Sequence, residues 1–74
     1  MKVEVKLFAT FRNGRWKSNV LILEDDTSIK DVLQLLKIKE EALGIVLIDG
    51  KHSTIDSTLK DGDVLALFPP IGGG

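Results

Sequence analysis

One stretch of the sequence, TSIKDVLQLLK, has helical periodicity, and stretches typical of strands lie on both sides of it. Its apolar residues recur at helical spacing and share one face: Ile29, Val32, Leu33 and Leu36. Ser28 and Asp31 have the spacing of a capping box that would begin this helix, and Thr27 is an alternative N-cap. Because one amphipathic helix cannot bury its own apolar stripe, the strands must supply the other side of the core.

Two strand-type stretches precede the helix. KVEVKLF alternates apolar and charged residues, which places Val3, Val5 and Leu7 on one face and Phe8 on the other. Asn13–Gly14 can supply the positive φ angles of a tight hairpin, after which WKSNVLIL returns as the second strand. The sequence therefore predicts a β-hairpin at the start of the chain.

The stretches after the helix also predict strands. GIVLID predicts a strand closed by a turn at Asp49–Gly50, with a weak edge strand over residues 52–55. KDGD predicts a turn and VLALF a last strand, which ends at Pro69 and Pro70 because proline cannot donate to a ladder. This ββαββ order, with one main helix on a mixed sheet of four or five strands, favours an α+β roll of the ubiquitin-like β-grasp kind. The order alone also fits other small α+β folds.

The composition predicts one soluble domain and excludes several kinds of chemistry. The 74 residues are enough for one compact core, and the absence of cysteine excludes disulfides, thiolate metal sites and a cysteine nucleophile. A formal net charge of -1 gives no general attraction to nucleic acid, and no apolar run matches a signal peptide or a membrane span. We therefore expect a cytoplasmic protein that binds neither nucleic acid nor a membrane.

Four stretches together resemble one family of small proteins: VKLFATFR, TSIKDVLQLL, STLKDGDVLALFPP and the final GG. On these stretches the chain is similar, over nearly its full length, to the molybdopterin-synthase small subunits and thiamine sulfur carriers. LFATFR and ALFPP resemble the molybdopterin branch, whereas the compact LLKIKEEALGIVLIDGK connection and the GGG ending resemble the thiamine branch, so the branch is open. The family's C-terminal Gly-Gly corresponds to Gly73 and Gly74, and Gly72 fills a preceding position that is commonly small.

The resemblance implies a carrier function centred on Gly74. In this family an ATP-dependent activating enzyme, resembling the ubiquitin activators, adenylates the C-terminal carboxylate, and sulfur from a donor protein then replaces AMP to leave a thiocarboxylate. The carboxylate needs activation because it is ionised at neutral pH and is a poor electrophile. A synthase subunit then accepts the sulfur in molybdopterin, thiazole or thionucleoside synthesis. The resemblance implies no enzyme activity and no bound cofactor or metal in the chain itself, since the activating partner uses the ATP.

The end of the sequence predicts a flexible reactive tail, residues 71–74, on a β-grasp domain that spans residues 1–70. Glycine without a Cβ atom lets a chain enter a narrow partner channel, and three glycines at an end are costly to order. Pro69 and Pro70 would stiffen the base of an arm that runs to the end of the sequence and spans roughly 20 Å when extended. A frayed end without function is the alternative.

A docking patch is predicted beside this arm. If the apolar faces of the first and last strands cover the helix, strand parity places Phe8 and Phe68 on the opposite face. The first and last strands lie side by side in a β-grasp roll, so the two rings can share that uncovered face. Together with Pro69, Pro70 and Ile71 they are the predicted partner-binding residues, because exposed aromatic clusters mark interfaces. The alternative is that one or both rings fold over the edge of the core.

Three other patterns favour ordinary structural roles. His52 and Ser53, with Asp49 or Asp56, have the residue types of a hydrolase triad, but neighbours in one turn cannot usually converge. The DGD at residues 61–63 lacks the further ligands of a calcium loop and predicts a turn. The first hairpin carries a basic group around Trp16, formed by Lys2, Lys6, Arg12, Arg15 and Lys17. Such a group could contact RNA or an acidic partner, but a solvated face is the commoner explanation.

Two functional classes share the predicted chemistry of the tail. The first is the sulfur carrier, and the second is a ubiquitin-like modifier that forms an isopeptide bond between Gly74 and a lysine of another protein. They differ in what attacks the activated carbonyl, a sulfur donor or an amine, and the sequence does not contain that choice. A β-grasp binding module without acyl chemistry is the third possibility.

Overall fold

The computed structural model describes residues 1–70. Its main elements, in chain order, are β1 (Lys2–Leu7), β2 (Ser18–Ile22), α1 (Ile29–Leu36), β3 (Ile45–Ile48), β4 (Lys51–His52) and β5 (Val64–Phe68). Short 3-10 helices, Ala9–Arg12 and Glu40–Ala42, lie between β1 and β2 and between α1 and β3. Within this range, no helix has the length and apolar character that a membrane crossing requires.

The five strands form one mixed sheet in the order β2-β1-β5-β3-β4. β1 and β5 pair in parallel, with Val5 opposite Leu65 and Leu7 opposite Leu67, while the other neighbouring strands pair antiparallel. A parallel pair needs a long crossover connection, and the chain from β2 to β4, including α1, provides it here. The predicted α+β roll is therefore observed with five strands, and β5 lies at the centre of the sheet.

One face of this sheet packs against α1 and forms the core. The fully buried side chains are Val3, Val5, Leu7, Ile29, Val32, Leu33, Leu65 and Leu67. They include every predicted core residue except Leu36, which is half-buried and packs against the cluster. Burying one such aliphatic side chain contributes about 1.5–3 kcal/mol relative to exposing it. The two-residue and helical periods of the sequence thus identified both sides of the core.

The capping box predicted at the start of α1 is present. The Ser28 Oγ accepts a hydrogen bond from the Asp31 N–H at 3.2 Å, and the Asp31 carboxylate accepts one from the Ser28 N–H at 3.0 Å. Hydrogen bonds from the Ser28 backbone, and then from its side chain, lower the pKa of the Asp31 carboxyl. Thr27 is not the cap, because its hydroxyl donates to the Glu24 carbonyl at 2.7 Å.

The prediction of a tight hairpin at Asn13–Gly14 is wrong. β1 and β2 do pair antiparallel, but the chain between them first forms the 3-10 helix Ala9–Arg12. Gly14 has the expected positive φ of 69°, whereas Asn13 has a φ of -64° and does not form the predicted turn. The longer path turns Phe11 into the core, where its side chain is 6% exposed. Burial of this aromatic ring outweighs the local preference for a two-residue turn.

The predicted edge strand is shorter and begins earlier than expected. The turn at Asp49–Gly50 is confirmed, and β4 is at the edge of the sheet, but it comprises only Lys51–His52. The following segment is held by the start of α1 instead: the carbonyls of Ile55 and Ser57 accept hydrogen bonds from the first-turn N–H groups of the helix, at 2.9 and 3.0 Å. These bonds satisfy helix donors that have no partner within the helix, so the segment leaves the sheet.

Ser28→Ala tests the capping box. The substitution removes the acceptor of the Asp31 N–H, and we expect the free energy of unfolding in urea to fall by about 1 kcal/mol. Ser18→Ala is the matched control, since Ser18 is exposed in β2 and its hydroxyl bonds only the Glu4 side chain. The control should stay within about 0.5 kcal/mol of the original protein. Equal losses in the two variants would contradict a capping role for Ser28.

Candidate functional site

Phe8 and Phe68 form an aromatic stack on the sheet face that α1 leaves uncovered. Their ring centroids are 4.2 Å apart and the ring planes are 12° from parallel. The parallel register of β1 and β5 brings the two residues together, and the Phe8 N–H donates to the Leu67 carbonyl at 3.2 Å. Both rings are half-buried and neither belongs to the buried core. The structure therefore places these two predicted residues side by side, next to the point where β5 ends.

Arg12 completes this cluster. Its guanidinium carbon lies 5.2 Å from the centroid of the Phe8 ring, within the range of a cation–π interaction. The Arg12 Nε donates to the Leu7 carbonyl at 2.6 Å, which fixes the side chain beside the ring. The sequence indicated Arg12 only as one member of a basic group. We call Phe8, Phe68 and Arg12 together the aromatic patch.

The surface beside the aromatic patch carries mixed charge with an excess of cations. A shallow depression there is lined by Glu4, Lys6, Phe8, Arg12, Lys17 and Ser18. The Glu4 carboxylate lies 4.0 Å from the Lys6 ammonium and accepts a hydrogen bond from the Ser18 hydroxyl at 3.0 Å. The Glu4 carboxylate is thus paired with its neighbours, and the charged residues that line the depression, which we call the rim of the patch, carry a net positive charge. Such a rim suits a partner that presents acidic groups around an apolar centre.

Arg15 does not line that surface, although the sequence places it among the basic residues around Trp16. Its Nε and one terminal nitrogen donate to the Leu36 carbonyl at 3.2 and 3.0 Å, and the other terminal nitrogen donates to the Phe11 carbonyl at 3.2 Å. These bonds satisfy a carbonyl at the end of α1 and put a positive charge at the negative end of the helix dipole. Arg15 therefore ties the β1–β2 connection to the helix.

The base of the arm crosses the start of β3. Pro69 and Pro70 follow β5, and the Gly44 N–H donates to the Phe68 carbonyl at 2.8 Å. Gly44 also lies directly against the proline backbone, because a Cβ atom built there would be 2.6 Å from the Pro70 Cα. The GIVLID stretch predicted Gly44 only as part of a strand. The remaining tail residues, for which binding and reactive roles are predicted, lie outside the described residues: Ile71, Gly72, Gly73 and Gly74.

The residue types of a hydrolase triad serve the β3–β4 turn instead. The Asp49 carboxylate accepts a hydrogen bond from the Val64 N–H at 2.9 Å. The Ser53 hydroxyl donates to the Lys51 carbonyl at 3.3 Å. Both side chains are thus engaged with backbone groups, and they do not form a relay with His52.

The DGD segment also forms a turn. The Asp61 carboxylate accepts the Lys2 N–H at 2.7 Å, and the Asp63 carboxylate accepts the Lys60 N–H at 2.8 Å. Over residues 1–70, no group of three or more histidine, aspartate and glutamate side chains is placed to hold a metal ion. The two carboxylates here stabilise backbone donors beside the start of β1 and of β5.

Comparisons with known proteins show the family of this chain. The model of the ThiS family matches residues 5–74. Small archaeal modifier protein 3 of Haloferax volcanii is 32% identical, with 100% of each chain covered. The solved structure of the putative molybdopterin converting factor subunit 1 of Pyrococcus furiosus is 30% identical and has a TM-score of 0.78, covering 96% of this chain and 99% of that one.

A third similar structure comes from a complex. A chain of the protein–protein complex of subunits 1 and 2 of the molybdopterin-converting factor from Helicobacter pylori is 26% identical, with a TM-score of 0.67 and 100% of each chain covered. The mixed sheet, the single main helix and these relatives confirm the ubiquitin-like β-grasp fold. Since the family match extends from residue 5 to residue 74, the chain belongs to the ThiS family, the ubiquitin-like sulfur-carrier family that its four sequence stretches indicate.

Proposed function

We propose that this protein is a sulfur carrier whose C-terminal Gly74 is converted to a thiocarboxylate that donates sulfur in molybdopterin, thiazole or thionucleoside synthesis. The observation that carries this proposal is the match to the ThiS family, which includes the terminal glycines at residues 72–74. The fold supports it, because the aromatic patch lies where the arm leaves the sheet. A partner that binds this patch would have the arm within reach.

The proposed chemistry takes place on the Gly74 carboxylate in two steps. A carboxylate oxygen attacks the α-phosphorus of ATP, so that pyrophosphate leaves and an acyl-adenylate forms. Hydrosulfide released by a donor protein then attacks the acyl carbon, AMP leaves with the electrons of the carbon–oxygen bond, and loss of the proton on sulfur leaves the thiocarboxylate. The activating enzyme supplies the catalysis in both steps. The chain itself acts as a co-substrate that presents its end, so no catalytic residue is required in the β-grasp domain.

The aromatic patch is proposed as the contact surface for the activating enzyme and for a synthase subunit. Aromatic and arginine side chains are enriched among residues that dominate binding energy, and the patch contains two phenylalanines and one arginine. The stack and the Arg12 hydrogen bond hold these side chains in place before binding, which lowers the entropy cost of association. The Helicobacter pylori relative, a complex of subunits 1 and 2, supports a synthase subunit as one partner of this chain.

A second candidate function is protein modification. Its specific support is the 32% identity to small archaeal modifier protein 3. In that case the amine of a lysine on another protein attacks the acyl carbon of the adenylated Gly74, AMP leaves with the electrons of the carbon–oxygen bond, and an isopeptide bond forms as the amine loses a proton. The activation step and the docking surface are the same for both functions.

Mass spectrometry of protein recovered from its own cells distinguishes the two functions. A sulfur carrier gains the mass difference between sulfur and oxygen, and fragmentation must place that gain on Gly74 because oxidation of another residue adds a similar mass. A modifier instead appears in conjugates, as a glycine remnant on lysines of other proteins. Absence of both products in cells that use the protein would contradict the acyl chemistry altogether.

Phe68→Ala tests the aromatic patch. Loss of an interface anchor should weaken binding to the cognate activating enzyme by about 1 to 3 kcal/mol, roughly 5- to 150-fold in Kd. The fold should remain, with a stability loss of only about 0.5–1.5 kcal/mol from the broken stack. Phe8→Ala should behave similarly. Isothermal titration calorimetry and thermal melting measure the two effects.

Val20→Ala is the matched control for this test. Val20 belongs to β2, is 54% exposed and lies opposite Glu4 of β1. It therefore faces the same side of the sheet as the aromatic patch, but β1 separates it from Phe68. Its removal should leave the affinity unchanged. Unchanged affinity in Phe68→Ala, or equal losses in Phe68→Ala and Val20→Ala, would exclude the aromatic patch as the binding surface.

Changes to the terminus test the reactive end. Deleting Gly74, or adding one residue after it, should abolish ATP-dependent adenylation in a pyrophosphate-exchange assay with the cognate activating enzyme. Each change moves the reactive carboxylate by up to about 3.5 Å, and a misplacement of about 1 Å can cost on the order of a hundredfold in rate. Circular dichroism and melting temperature should stay nearly unchanged, since the core lies within residues 3–67. Adenylation of either variant at the original rate would show that Gly74 is not the reactive end.

A further inference from the structure

Gly44 lies directly against the backbone at the base of the arm. A Cβ atom at this position would lie 2.6 Å from both the Cα and the nitrogen of Pro70, and 2.7 Å from the carbonyl carbon of Pro69. Real Cβ atoms essentially never come within 3.0 Å of such neighbours. All three atoms belong to the backbone, so no side-chain rotation can relieve the contact. Only glycine therefore fits between the start of β3 and the base of the arm.

The requirement for glycine at this position comes from space and not from backbone conformation. The glycines with positive φ in the described part of the chain are Gly14, Gly50 and Gly62. Gly44 is outside this group, so its φ is not in the left-handed region that favours glycine. Its contact with Pro69–Pro70 is thus the specific reason why position 44 requires glycine.

The two prolines make the base of the arm stiff against displacement. Each pyrrolidine ring holds φ near -65°, so a push on Pro70 cannot be absorbed by rotation about φ at either proline. The Gly44 N–H also holds the Phe68 carbonyl at 2.8 Å, immediately before the prolines. A larger residue at position 44 must therefore change the direction in which the chain leaves β5, or separate β3 from β5.

We propose that Gly44 is a positioning residue that sets the direction of the C-terminal arm relative to the aromatic patch. This inference rests on the proposed function, since it concerns how the terminus reaches an activating enzyme that holds the patch. Four residues follow Pro70, and they span at most about 14 Å when extended. If the arm must be nearly extended to reach the ATP bound by the activating enzyme, it cannot compensate for a change of direction at its base. Turning the base then moves the Gly74 carboxylate away from the ATP.

Gly44→Ala is the test. In pyrophosphate exchange with the cognate activating enzyme, kcat should fall roughly 10- to 100-fold, because the carboxylate is misplaced by about 1 Å or more. KM for the carrier should stay within about threefold, because the aromatic patch is untouched and only an interaction of the reacting end is lost. The Cα chemical shifts of Pro69 and Pro70 should change in the free protein, which is a readout independent of any enzyme.

Gly50→Ala is the matched control. Gly50 has a φ of 80°, so alanine is strained there and should lower the melting temperature, but apart from the adjacent residues no atom lies within 4 Å of where its Cβ would be. It is in the β3–β4 turn, away from the arm. Its kcat and KM should equal those of the original protein at a temperature where both variants are folded. An equal loss of kcat in Gly44→Ala and Gly50→Ala would show a stability effect and would overturn the positioning role.

A second variant keeps the inference testable if Gly44→Ala does not fold. Pro70→Gly leaves Gly44 in place and releases φ at the base of the arm, so the arm loses its fixed direction and kcat should fall several-fold. If Gly44→Ala does not fold, wild-type kcat in Pro70→Gly would by itself overturn the proposal. If the original protein is never adenylated, the proposed function fails. Unchanged Cα chemical shifts of Pro69 and Pro70 in Gly44→Ala would separately show that the Gly44 contact does not set the direction of the arm.

Discussion

The parallel pairing of β1 with β5 is the interaction on which the rest of the structure depends. One register aligns Leu7 with Leu67 on the helix side of the sheet and brings the next residues, Phe8 and Phe68, together on the other side. A slip by one residue would exchange the two faces of a strand, which would bury a phenylalanine and expose a leucine. The same hydrogen-bond ladder therefore builds the core and the aromatic patch.

The sheet order gives the arm a well-supported origin. β5 is held by β1 on one side and by β3 on the other, and the first residues beyond it rest against Gly44. Arg12 and Arg15 fix the β1–β2 connection through backbone carbonyls, so the patch and the end of α1 are joined by the same segment. Phe68 of the aromatic patch and the base of the arm at Pro69 and Pro70 therefore follow one another at the end of one central strand. In the proposed function, a partner that binds the patch would thus hold the domain next to the base of the arm.

Local patterns in the sequence predicted the parts of the fold that local physics decides. The helix stripe, the capping box at Ser28 and the parity of β1 and β5 each follow from spacing along the chain, and the structure agrees with them. The β1–β2 connection was not predictable in this way, because burial of Phe11 depends on the space that the finished core leaves open. The roles of Arg15 and Gly44 depend on partners 21 and 26 positions away, at Leu36 and Pro70, and no short spacing signals them.

The central place of β5 also bears on how the chain folds as it leaves the ribosome. β1 and β3 are neighbours of β5 and not of each other, so a nascent chain that has not yet released Val64 has two unpaired strand edges and an incomplete sheet. The core closes only when β5, which carries the buried Leu65 and Leu67, has emerged. A product terminated before β5 lacks the strand that joins β1 to β3, so it cannot complete this sheet, and its open strand edges expose it to proteases and chaperones.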